Sequence, residues 1–152
     1  MLREALSVMH SERYHLRTSA TSCALAMGLC RSGQVEEARS TIDHALKRAQ
    51  HLGETRWLPA LFQTQGEVLQ ALSDEMEAEE SFMRAIRCAQ DQSAPSSELR
   101  AAIPLAELWS GWGRKDDALA LLEGVWQKFP EVSETKDLIA ARKLLDELRR
   151  DR

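Results

Sequence analysis

The chain has 152 residues, room for one compact domain, with 43% hydrophobic and 29% charged residues and a formal charge of −4. This balance excludes a disordered chain, and its mild acidity argues against the basic face that nucleic-acid binding requires. Ala, Leu, Glu and Arg dominate while β-branched and aromatic residues are few, so the expected fold is all-α.

The opening MLREALSVMHSERYHL carries charge throughout. It reads as neither a signal peptide nor a membrane span, and no apolar run elsewhere reaches spanning length. Cys23, Cys30 and Cys88 are too few for a disulfide framework. Cys23 and Cys30 would stand roughly 10 Å apart along a helix, too far to bridge. The cytoplasm is the expected location.

In chain order, residues 1 to about 12 read as the second half of a helical hairpin, with an apolar edge of Leu2, Ala5, Leu6 and Met9. A helix is predicted from about Tyr14 to Cys30, with Gly33 free to take a left-handed cap in the following turn. The next helix runs from Val35 to about His51 and stops at Gly53. Thr55 is the expected N-cap of a helix reaching Leu72, and Pro59 is tolerated in its first turn. Ser73 or Asp74 then caps a helix ending near Gln90. The acidic run Glu75, Glu77, Glu79 and Glu80 suits a helix N-terminus and a solvated face better than a patch for a basic partner.

Asp91 to Ser97 reads as a loop, followed by a helix from about Ser97 to Trp112 that contains Pro104. After a turn at Gly113, a helix runs from about Asp116 to Lys128 and is stopped by Pro130. The last helix starts behind a Ser133 or Thr135 cap. It carries Leu138, Ala141, Leu145 and Leu148 as one stripe, with Arg142, Lys143, Arg149 and Arg150 on the other side, as a terminal cap requires.

These helices repeat. Ala26, Gly66 and Ala106 recur at 40-residue steps, and so do Gly33, Ser73 and Gly113. The same step relates Ala38, Ala78 and Ala118; Ile42, Phe82 and Leu122; Ala45, Ala85 and Val125; and Leu29, Leu69 and Trp109. Small residues let the two helices of a hairpin approach, and large ones fill the gap to the next hairpin. The expected architecture is one domain over residues 1–152. Its repeats lie at about 19–58, 59–98 and 99–130, with a capping helix at about 134–150.

The columns resemble the tetratricopeptide repeat, best in the third unit through Leu105-Ala106, Trp109, Gly113, Ala118, Leu122 and Pro130. The family period is 34 residues, shorter than the step found here. The runs GETRWLPALFQTQGEVLQAL, AEESFMRAIRCAQDQSAPSSELRAAIPLAELW and SETKDLIAARKLLDEL resemble the C-terminal repeat region of bacterial multidomain ATPase and adenylate-cyclase-like regulators. No phosphate-binding loop of such proteins is present in this sequence, so the resemblance implies the repeat module alone. It also implies a right-handed solenoid whose function is to bind a protein or peptide, with the first helix of each unit lining the concave side. Cys23, Met27, Gln63, Glu67, Gln70, Arg100 and Glu107 would line that face.

No enzymatic motif competes with this reading. His10, His15, His44 and His51 have no zinc-hydrolase spacing, and neither a nucleophile elbow nor a Cys-x-x-Cys pair occurs. No catalytic residue, cofactor or metal is expected. Of the tryptophans, Trp109 sits in a packing column and Trp112 and Trp126 are expected to close the third hairpin against the final helix. One of the four tryptophans, if exposed, would mark a contact patch. The alternative function is homodimerisation through the N-terminal apolar edge.

Overall fold

The computed structural model describes residues 15–131 and 133–151, and in these the chain is entirely helical with no strand. The expected half-hairpin at residues 1–12, with Leu2, Ala5, Leu6, Met9 and His10, lies outside the described residues. Helix α1 spans His15–Arg31 and α2 Val35–Leu52; a 3-10 turn at Thr55–Trp57 leads into α3, Leu58–Ala71, and α4, Glu75–Asp91. Then come α5, Pro95–Gly111, α6, Lys115–Trp126, and α7, Lys136–Arg150. No described helix is long and apolar enough to cross a membrane.

One turn is used five times. Gly33, Gly53, Ser73, Ser93 and Gly113 all adopt positive φ, and they stand 20 residues apart. Each closes its helix in the same way. The N–H of Gly33 donates to Cys30 and that of Gln34 to Leu29, a pattern repeated by Asp74 to Leu69, Ala94 to Ala89 and Arg114 to Trp109. This is the double bond of a left-handed helix stop, which satisfies carbonyls the helix would otherwise leave bare. The 40-residue interval is therefore two helix-and-turn halves of equal length.

Two boundaries differ from the sequence reading. Asp91–Ser97 is not a loop: Ser93 turns the chain tightly and Pro95 already occupies the first turn of α5, where its missing N–H costs nothing. The third hairpin thus begins at Pro95, ahead of residue 99. Thr55 does not cap α3, because residues 55–57 tighten into the 3-10 turn and Trp57 takes the cap position instead. Elsewhere the polar caps act as their chemistry dictates. Asp74 accepts from the N–H of Glu77 at 3.5 Å and Thr135 from that of Leu138 at 3.3 Å.

Packing follows the columns. Ala26, Ala106, Ala38, Ala78, Ala118, Ile42, Phe82 and Leu122 are fully buried in a core that continues to Leu148. Each buried Ile, Leu or Phe contributes about 1.5–3 kcal/mol of transfer free energy, so the repeated large positions hold the stack together. Consecutive helices pack pairwise, and α1, α3, α5 and α7 also pack on one another in sequence. They form one row. Its neighbours meet at a separation of 37 residues, as in Cys23 with the carbonyl of Ala60 and Arg100 with Asp137. Where α3 has Phe62, Gly66 and Leu69, α7 carries Arg142, Asp146 and Arg149, all exposed.

Candidate functional site

The row of α1, α3, α5 and α7 carries the residues singled out from the sequence. On α1, Cys23 and Met27 are half-buried. The Cys23 thiol donates to the Ala60 carbonyl at 3.8 Å. Burial raises its pKa, a hydrogen bond with Thr64 opposes this, and the charge of Glu67 adds to the rise. Burial and then Glu67 also push up the Cys30 thiol, while burial and then Asp91 push up that of Cys88, with Arg87 opposing. Raised thiol pKa values favour the protonated form, and Cys23, Cys30 and Cys88 pack against the hydrophobic core.

On α3, the Gln63 amide donates to Glu67 at 3.0 Å, so Gln63, Glu67 and Cys23 form one polar seam between α3 and α1. Arg100 stands apart from it. Its guanidinium is bound to Asp137 at 2.9 Å, which joins α5 to α7. Gln70 and Glu107 are brought together, because both line an open groove of about 360 Å³ with Glu75, Leu108, Gly111 and Trp112. The pKa of Glu107 is raised by burial first and by the charge of Glu147 second.

Trp112 does not close the third hairpin against the final helix. Its indole N–H donates to Glu75 on α4 at 2.7 Å, and the residue is 37% exposed. It follows the last residue of α5, just before the Gly113 turn, and its indole is turned toward the start of α4. Trp109 is half-buried and donates to Glu79 at 2.6 Å, with the Arg114 guanidinium 4.5 Å above its ring. Trp126 lines a second groove with Leu145 of α7. The indole nitrogen of Trp57 is buried without a partner.

Among the described residues no group of three or more His, Cys, Asp or Glu side chains is placed to hold a metal ion. His44 and His51 are exposed on α2.

No family model matches the chain, and no curated protein matches it. Among solved structures, the crystal structure of BtubC (BKLC) from P. vanneervenii superposes with a TM-score of 0.71. The identity is 17%, over 97% of this chain and 69% of BtubC. A likeness at that identity concerns the fold alone.

Two participants, Glu147 and Glu98, are not singled out in the sequence. Glu147 has a visible signal, since Glu67, Glu107 and Glu147 repeat at 40 residues on α3, α5 and α7. Glu75 belongs to the acidic run that a helix N-terminus and a solvated face explain better than a basic partner does, and the structure places it on the groove wall. Glu98 is 3% exposed and is held by Lys128 at 2.7 Å and Gln90 at 2.8 Å. It stands in a column with Leu58 and Leu138, a mismatch that the sequence does display.

Proposed function

We propose that the chain is a tetratricopeptide-like, right-handed hairpin solenoid that binds a protein or peptide along the row of α1, α3, α5 and α7 and performs no catalysis. The observation that carries this reading is the groove at Gln70, Glu107 and Trp112. It is open, it is walled by rigid helices, and it presents a large exposed aromatic beside polar groups. Exposed aromatic anchors of this kind dominate protein recognition energetics. The resemblance to repeat regions of bacterial multidomain regulators supports a role as the partner-binding part of such a regulator.

Panning a peptide display library against the immobilised chain tests the reading. Selected peptides should bind the native chain and lose binding to a Gln70→Ala, Glu107→Gln, Trp112→Ala variant that keeps its helical circular dichroism. Equal capture by both forms refutes it.

A second reading, self-association, is favoured by Leu25. It is 53% exposed on α1, whereas at the matching positions Gln65 is half-buried and Leu105 and Leu145 are buried. Light scattering tests it: a dimer that Leu25→Asp dissociates supports this route, and a monomer at high concentration removes it.

A further inference from the structure

The groove between α3, α4 and α5 is lined by negative charge without a cation. Several partly buried carboxylates have cationic partners, with Glu98 on Lys128, Glu79 on Arg114 and Glu123 on Arg149, and Glu67 is instead held by the Gln63 amide. In the groove, the charged lining residues are Glu75 and Glu107, and no lysine or arginine is among them. Glu75 spends one oxygen on the Trp112 indole. Among the described residues Glu107 makes no hydrogen bond or ion pair, and it faces a second carboxylate, Glu147 on α7. A carboxylate without a counter-charge, set beside another, is a site that gains from a cation.

The aromatic side of the groove favours the same chemistry. Trp112 is pinned at its N–H by Glu75 and still more than one-third exposed. Indole is the strongest cation-attracting ring among side chains, and its attraction grows as the site is desolvated. Leu108 and the bare backbone of Gly111 supply an apolar floor for an alkyl stem. A Cβ on Gly111 would meet nothing within 4 Å, so the approach is open there. Glu67 and Glu147, one repeat to either side of Glu107, extend negative charge along the row.

We infer that the partner is a cationic peptide segment, one of whose arginine or lysine side chains enters this groove between Glu107 and the Trp112 ring. The inference rests on the partner-binding reading above and narrows it to one class of partner. An acidic or purely apolar segment is disfavoured, since either would bury Glu107 beside Glu147 with no counter-charge.

The test uses three fluorescein-labelled decapeptides that differ only in four positions, filled with Arg, Gln or Glu, titrated by anisotropy against the full chain. Variants are Glu107→Gln, Trp112→Ala and, as a control outside the groove lining, Glu36→Gln on α2. The expected result is binding of the Arg peptide, weakened about tenfold by Glu107→Gln and by Trp112→Ala and unchanged by Glu36→Gln. Tighter binding of the Gln or Glu peptide, with the same dependence on Trp112, overturns the cationic partner and leaves the groove reading intact. Arg-peptide binding that ignores both groove variants, or falls equally with Glu36→Gln, overturns the inference as non-specific attraction. Binding of none of the three overturns the inference as well, and the library selection then decides the broader reading separately.

Discussion

Gly66 lies directly beneath the ring of Phe82: a Cβ built on Gly66 would stand 2.5 Å from Cε1, 2.7 Å from Cδ1 and 2.8 Å from Cζ. The other two hairpins place Ala26 with Ile42 and Ala106 with Leu122 at these positions, all fully buried. The sizes compensate. Where the large partner is a rigid aromatic, the small partner has no side chain at all. Gly66→Ala should therefore lower stability by about 1–2 kcal/mol, as overpacking outweighs the gain in helix propensity. Gly66→Ala with Phe82→Leu rebuilds the pair found in the third hairpin and should recover most of the loss. Urea midpoints of the four proteins close the cycle, and simple additivity would show that the two residues are not coupled.

This pairing also marks how far the sequence could be read. The recurrence of Ala26, Gly66 and Ala106 against Ile42, Phe82 and Leu122 is visible in residue types alone, because packing of small against large is a property of side-chain volume. The all-helical fold follows from it. The five equal turns were only partly legible: Gly33, Gly53 and Gly113 announce positive φ, whereas Ser73 and Ser93 do not. With serine rather than glycine at position 93, the sequence pattern starts α5 near Ser97, two residues after Pro95, where the helix begins. The groove was less legible still. Gln70 and Glu107 are legible as helix-face positions, but Trp112 and Glu75 join them only because the end of α5 lies beside α4. Spacing within a helix does not encode that crossing.

Ser73 and Ser93 hold φ of 61° and 51° where the other three turns have glycine. A left-handed backbone costs an L-residue roughly 1–2 kcal/mol, and glycine avoids this at the expense of a freer unfolded chain. Ser73→Gly and Ser93→Gly should each stabilise by about 0.5–1 kcal/mol, raising Tm by roughly 1–3 °C. Alanine at the same sites should not. Thermal melts by circular dichroism distinguish the two outcomes, and an equal effect of glycine and alanine would point away from backbone strain.

Glu98 is buried where Leu58 and Leu138 stand in the neighbouring units, and Lys128 with Gln90 makes the burial tolerable. Removing the cation leaves the carboxylate to be desolvated alone. Lys128→Ala should cost about 1–3 kcal/mol, less than for a wholly enclosed pair because the lysine side chain is 45% exposed. Glu98→Leu, by contrast, restores the column residue and should be close to neutral or stabilising. Denaturant midpoints of the single and double variants check the order. A Lys128→Ala protein as stable as the parent would mean that water already compensates Glu98.

Glu107 supplies a dependence on pH. Its pKa is raised in the folded chain by burial and by Glu147 from α7, with Glu75 of α4 on the groove wall and the uncharged Gln70 from α3. A raised carboxyl pKa means the native state binds the proton more tightly than the unfolded chain, whose glutamates titrate at about 4.3. Stability therefore falls as pH rises from that value through the folded pKa, and the penalty is constant above it. Glu107→Gln has no such charge. It should be more stable than the parent at pH 7, by less than about 1 kcal/mol because the residue is exposed to solvent, and the difference should vanish once pH drops below the ordinary carboxylate range. Paired melts from pH 3.5 to 7.5 measure it. A stabilising effect of Glu107→Gln that persists unchanged at the acid end would assign the gain to packing rather than to charge. The same profile links stability to binding: a cationic peptide should relieve the repulsion between Glu107 and Glu147, so the parent should gain more thermal stability from the peptide at pH 7 than at the acid end.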